Sequence, residues 1–234
     1  IQLAGSSEER RAELEEQLQS CLDQYRKNAS ALHRKRKAYA KKLSRRVIEL
    51  MSELGMEGGS FELVTKLNTD ATPSIRGDDE LQILISANPG HAPGPLNKIA
   101  SGGELSRISL AIKVAAAGEG QFTTQIFDEV DAGIGGDTAN AVGRLMKKLS
   151  ENRTAGCGQA LCVTHLAQVA VCASAQVKVR KASENDTTMV DTVVLDYNQR
   201  IDEIARMLGG NVSEQSRAHA IELLNTAESD SKES

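Results

Sequence analysis

The chain has 234 residues and a net charge of −4; it is 40% apolar and 26% charged but only 3% aromatic. That length can bury a core in one or two domains, and high charge with few aromatics favours long helices over a compact all-β domain. No apolar run approaches the ~18 residues of a membrane span, and the four cysteines include no CxxC pair, a pattern that suits reduced thiols in a cytoplasm.

The first residues, 1–20, are polar and acidic and do not read as a secretory signal. The chain begins with Ile rather than Met, which reads as a fragment. Between Ser6 and Leu54 there is no Gly or Pro, so residues 6–54 are expected to form one long helix. The stretch Gln24–Ile48 holds ten Lys and Arg and no acid. A heptad-like seam runs through Leu18, Leu22, Tyr25, Ala29, Leu32, Arg36, Tyr39, Leu43, Arg46 and Leu50. Such a stripe needs a packing partner. No second helix of that length follows, so the partner is expected on another chain or on a removed part of the same polypeptide.

After Gly55 the pattern changes. Phe61–Leu67 and Leu81–Ser86 read as strands, and Asn88–Pro95 as a turn region. A helix follows over Lys98–Ala117, opened by Ser-Gly-Gly-Glu. Thr123–Phe127 and Ala160–Thr164 are short apolar strands, with a helix over Thr138–Ser150 between them. A helix over Leu166–Ala173, strands at Val177–Arg180 and Thr188–Asp196, and helices over Arg200–Leu208 and Ser213–Ala227 complete the sequence. Residues 228–234 read as a disordered tail. Strands alternating with helices imply an α/β fold on the end of a long helix, with 6–54 as helical arm and 55–227 as lobe.

Three motifs carry the chemistry. Ser101-Gly102-Gly103-Glu104 reads first as a capping box. Glycine is unfavourable in a first helical turn, however, and a pair there exposes N–H groups to an anion at the positive end of the dipole. Asp128-Glu129 closes an apolar strand. The first carboxylate can hold Mg²⁺ through water and the second can polarise an attacking water. The plain reading is a solvated acidic turn, but Asp131-Ala132-Gly133-Ile134-Gly135-Gly136 makes the loop conformationally special. His165 stands just past the next strand, at the carboxyl edge where open α/β sheets bind ligands. Cys157, Cys162, His165 and Cys172 have zinc-ligand residue types but no paired knuckle.

Together, the order Ser101–Arg107, Ile126–Gly136 and Cys162–Leu166 resembles the C-terminal lobe of an ABC-type ATPase head. The long helix points to the SMC/Rad50-like branch and, within it, to bacterial DNA-repair members. The resemblance implies ATP and Mg²⁺ as cofactors. It implies that Ser101, Gly102, Gly103 and Glu104 form a signature contacting the γ-phosphate held on an opposite head. It gives Asp128 the Walker B position near Mg²⁺, Glu129 the catalytic base, His165 the switch, and Asp131 and Gly133 a loop crossing between heads. No G-x-x-x-x-G-K-[ST] loop occurs in the sequence, so the implied partners are an N-terminal Walker A lobe and a second head. The chain alone is then expected to be inactive.

The basic stretch, with Arg34, Lys35, Arg36, Lys37, Lys41, Lys42, Arg45 and Arg46, has two readings. One is a solvated helix face. The other is a sequence-independent DNA contact with strong salt dependence. A non-catalytic partner- or DNA-binding module is the alternative to the ATPase reading. No membrane partner is expected, and a cytoplasmic, nucleoid-associated location is.

Overall fold

A computed structural model describes residues 2–70, 72–96, 101–116, 124–151, 158–184 and 187–229. Asn97–Ala100, Cys157 and residues 230–234, which entered the sequence reading, lie outside them. The chain divides into two compact units: residues 1–48 with 59–98, and residues 49–58 with 99–234.

The first unit is built on α1 (Gln2–Glu53) and a three-stranded antiparallel sheet. Strand β1 (Ser60–Leu67) pairs along its full length with β2 (Asp79–Ser86), and the short β3 (Gly94–Pro95) adds to β2 within the region read as a turn. The helix from Tyr25 to Ser44 is tied to this sheet by polar groups. Ser44 Oγ accepts from Leu63 N at 3.1 Å. The Tyr25 hydroxyl donates to Asp78 Oδ1 at 2.6 Å and accepts from Ser74 N at 3.0 Å. Arg26 donates to Asp78 at 2.5 Å, and Arg36 donates to Asp79 at 2.9 Å. His33 Nδ1 lies 2.5 Å from Asp79 Oδ1. The stripe therefore finds much of its partner in its own chain, which corrects the expectation of a missing helix over this stretch. The seam also drifts: Ala40 and Val47 are buried where Tyr39 and Arg46 were expected. A straight helix turns 3.6 residues rather than 3.5, so a strict heptad slips off the buried face.

Asp78 and Asp79 are buried carboxylates. The Tyr25 hydrogen bond outweighs burial and, with Arg26, holds Asp78 below its ordinary 3.8. Burial works against ionising Asp79, but Arg36 and His33 together hold it below 3.8 as well. Groups whose folded values are depressed stabilise the fold above the unfolded value and lose that contribution as pH falls through the folded one. The melting temperature of the chain should therefore drop as pH is lowered below 3.8. The drop should be shallower in Asp78→Asn/Asp79→Asn, and parallel melting curves across pH would contradict this.

Helix α1 ends at a left-handed Gly55, φ 76°, where Met56 N bonds back to Met51 O at 3.0 Å, a glycine-terminated cap. The second unit then runs α2 (Gly102–Ala116), β4 (Thr124–Phe127), α3 (Gly136–Glu151), β5 (Gln159–Cys162), α4 (Ala167–Ala170), β6 (Val177–Glu184), β7 (Thr187–Val194), α5 (Tyr197–Gly209) and α6 (Glu214–Ser229). Strands β4 and β5 are parallel, and β6 and β7 form an antiparallel hairpin. One buried cluster joins Ala167 and Val171 with Ile201, Ile204 and Ala205 of α5 and Ala220 and Leu224 of α6. The helix through Ser229 includes two residues expected in the tail. The fold is α/β with a long preceding helix, as the sequence implied.

Candidate functional site

The parallel pair sets the site. Register runs Thr124 to Gln159 through Phe127 to Cys162, and Val163 N extends the ladder to Phe127 O at 3.1 Å. Both strands therefore end at one edge, where Asp128 and Glu129 follow β4 and His165 follows β5. Asp128 Oδ1 accepts from Glu129 N at 3.0 Å. Glu129 itself is left-handed, φ 56°, a backbone state that costs a non-glycine residue roughly 1–2 kcal/mol. Val130, fully buried, and the Ala132 N to Glu129 O bond at 3.1 Å hold that turn while the Glu129 side chain stays exposed.

Helix α2 begins against this turn. Ser101 Oγ accepts from Glu104 N at 3.5 Å, a long cap, and Leu105 N bonds to Ser101 O at 3.0 Å. A Cβ on Gly103 would lie 3.0 Å from Ala132 Cβ and 3.2 Å from the carbonyl oxygens of Ala132 and Glu129. A Cβ on Gly102 would lie 2.6 Å from Glu129 Oε2. The two glycines thus let the positive end of α2 come up to the acidic turn. Ser106 Oγ donates to Asp128 O at 2.7 Å, and Arg107 Nη1 to Ala132 O at 3.0 Å. Arg107 is buried at 8% exposure, and that burial depresses its pKa. Ser106 and Arg107 stand within the sequence motif, but nothing in the sequence marks these bonds. Gly133, φ 71°, has open space around the position of a Cβ.

The resemblance gave Asp131 a place in a loop between heads. Here the residue is buried, only 3% exposed, and its carboxylate is turned onto the end of β5. Oδ2 accepts from Thr164 Oγ1 at 2.6 Å and from His165 N at 2.9 Å. His165 Nδ1 lies 3.1 Å from the same oxygen, and the His165 side chain is 73% exposed. Burial, then the charges of Asp131 and Asp128, push the Cys162 thiol up to about 12. Cys157 of the zinc alternative is outside the described residues.

Asp128, exposed at the strand end, gives one carboxylate oxygen to solvent and fits Mg²⁺ held mainly by water and phosphate. No cluster of three or more His, Cys, Asp or Glu suited to a metal occurs among the described residues.

The basic residues lie in the other unit, on α1. At 100° per residue, Lys27, Arg34, Lys37, Lys41 and Arg45 form one exposed face, flanked by Lys35, Lys42 and Arg46. Tyr25, Ala29, Arg36 and Leu43, which are buried or half-buried, lie opposite. Arg36 is thus removed from the exposed set: it donates to Asp79 and to Arg76 O at 2.9 Å.

No protein-family model matches the chain. Curated relatives do. A DNA repair protein RecN from Vibrio cholerae is 45% identical over 197 residues, covering 84% of this chain and 34% of that protein. RecN from Xylella fastidiosa is 41% identical, covering 91% and 37%. RecN from Deinococcus radiodurans is 38% identical over 225 residues, covering 95% and 38%. The chain belongs to the RecN family. It corresponds to the C-terminal part and spans about a third of the length of these RecN relatives. Solved SMC structures overlap more loosely. One from work on ATP-driven dimerization of SMC ATPases has a TM-score of 0.45 at 19% identity, covering 77% of this chain and 99% of that one. A Pyrococcus furiosus Smc head bound to a ScpA domain has 0.46 at 20%, covering 71% and 38%. These overlaps are too loose to carry a conclusion beside the RecN matches.

Proposed function

We propose that this chain is the C-terminal part of an SMC-like ATPase head acting in DNA break repair and recombination. The observation that supports it most is the meeting of three motifs at one strand edge: the glycine N-terminus of α2, Asp128-Glu129 and His165. In this reading ATP is sandwiched between two heads, its binding drives dimerisation and its hydrolysis releases it. Ser101, Gly102, Gly103 and Glu104, the turn capped by Ser101 Oγ on the Glu104 N–H, offer backbone N–H groups to the γ-phosphate held on the opposite head. Asp128 would hold Mg²⁺ through water, and the ion would supply neutralisation of the charge developing on the phosphates. Glu129 takes the proton of the attacking water, and His165 contacts the γ-phosphate.

The nucleotide cradle comes from an N-terminal lobe. Ile126, Leu161 and Val163 on and beside the β4–β5 pair are 72%, 45% and 64% exposed. Parallel strands are ordinarily covered on both faces, which fits further strands and helices from that lobe. The basic face of α1 gives a second, DNA-binding element of the same reading.

The direct test compares this chain with a chimeric full-length RecN in which it replaces the matching segment. The chimera should hydrolyse ATP and the chain alone should not. Turnover by the chain alone, or none by a folded chimera, would refute the reading and leave the binding-module alternative.

A further inference from the structure

We propose that Asp131 is the positioning residue for His165, holding the ring edge-on so that its Nε2 faces outward from the strand edge. The inference rests on the reading of His165 as a γ-phosphate contact, and it gives Asp131 a task within its own chain rather than across an interface.

The geometry carries it. His165 is 73% exposed at its side chain, and an exposed side chain samples several rotamers unless something restrains it. One carboxylate oxygen meets both parts of the residue: it accepts from the His165 backbone N–H at 2.9 Å, which fixes the main chain, and lies 3.1 Å from Nδ1, which acts on the ring. The same oxygen accepts from Thr164 Oγ1 at 2.6 Å, and that hydroxyl in turn accepts from Leu166 N at 3.0 Å. Two successive residues after β5, Thr164 and His165, are thereby held on one atom, and Leu166 is tied to it through the Thr164 hydroxyl. Asp131 cannot drift, because it is buried and because the next residue is clamped from the other side by Arg107 on Ala132 O. A carboxylate facing Nδ1 favours the proton there. Neutral His165 then presents an Nε2 lone pair outward, and the imidazolium presents an Nε2–H to an anion. A misplacement of about 1 Å in such a group can cost on the order of 10² in rate.

Asp131→Asn keeps the shape and an acceptor for Thr164 and the backbone while removing the charge facing the ring. Two readouts decide the matter. By ¹⁵N NMR of the histidine-labelled chain, His165 should carry its proton on Nδ1, and Asp131→Asn should shift that population toward Nε2. An unchanged ring signature would overturn the proposal whatever the activity shows. In the chimeric RecN, Asp131→Asn should lower kcat by ~10- to 100-fold with KM for ATP within about twofold. In a His165→Ala background it should add nothing, since the group it positions is gone. Wild-type kcat in Asp131→Asn beside an impaired His165→Ala, or independent multiplying losses, would overturn it. Full activity in His165→Ala would instead refute the proposed function, leaving the positioning claim to the NMR result. Should Asp131→Asn not fold, Thr164→Val removes the hydroxyl's bond to Asp131 and its bond from Leu166 N, and leaves the Asp131 charge facing the ring in place. It should lower kcat several-fold, and an unchanged kcat and ring signature would count against the proposal.

Discussion

Glu129→Gln is expected to slow ATP turnover by the chimeric RecN by about 10²–10⁴-fold, the range a positioned general base contributes. The change removes the basic oxygen and little else. The turn at Glu129 is held by Val130, by Ala132 N and by the Asp128 side chain on its own N–H, none of which uses the Glu129 carboxylate. The glutamine keeps the size that fits beside Gly102. The variant should therefore melt like the wild type and bind ATP with similar affinity while hydrolysis is lost. Steady-state ATPase rates with melting curves check this, and undiminished turnover would remove Glu129 from the role of base.

The second large effect concerns nucleic acid. Reversing Arg34, Lys41, Lys42 and Arg45 to Glu should flatten the dependence of log Kd on log salt by about 3–4, at roughly 0.9 for each phosphate no longer neutralised. Raising salt over about 50–200 mM should then weaken the wild type about 10²-fold more than the variant. These four side chains point away from the sheet, so the fold should survive the reversal. Arg36 behaves otherwise: it serves Asp79, and its removal should lower stability more than DNA affinity. Fluorescence anisotropy on duplexes of several sequences reads both quantities. Equal slopes for variant and wild type would make the basic face a solvated surface.

Much of this was legible because its causes are local. The absence of Gly and Pro over 6–54 foretold α1, and Gly55 marked its end through a backbone state that favours glycine. The apolar runs at β4 and β5, each closed by polar residues, foretold both the strands and the shared edge at which Asp128, Glu129 and His165 stand. Other local signals compete with the strand pattern and win. Asp196-x-x-Gln199 is a capping box with both of its hydrogen bonds formed, at 2.9 and 3.0 Å. It takes Asp196 out of the strand expected to reach it and starts α5 at Tyr197, three residues before the expected Arg200.

Further features could not be read because they join distant residues. Asp78 and Asp79 resemble an acidic turn, but they pair with Arg26, His33 and Arg36 some 43–52 positions earlier. That pairing is what lets a sheet, rather than a second helix, cover the stripe of α1. The inward turn of Asp131 depends on Thr164, 33 residues on. Nothing in the loop sequence says which way its carboxylate faces. Gly103 reads as a phosphate-binding glycine and has a packing reason too, since Ala132 leaves no room for a side chain.

In the proposed function, Ser101–Gly103, Asp128, Glu129 and His165 form half of an ATP site that closes between two heads. Sedimentation velocity of the Glu129→Gln chimera with and without Mg-ATP tests it most directly. A monomeric head should become a stable dimer with ATP and revert on its removal, with dimerisation abolished by adding Ser101→Arg. A variant that sediments identically with and without ATP, while binding the nucleotide, would contradict it.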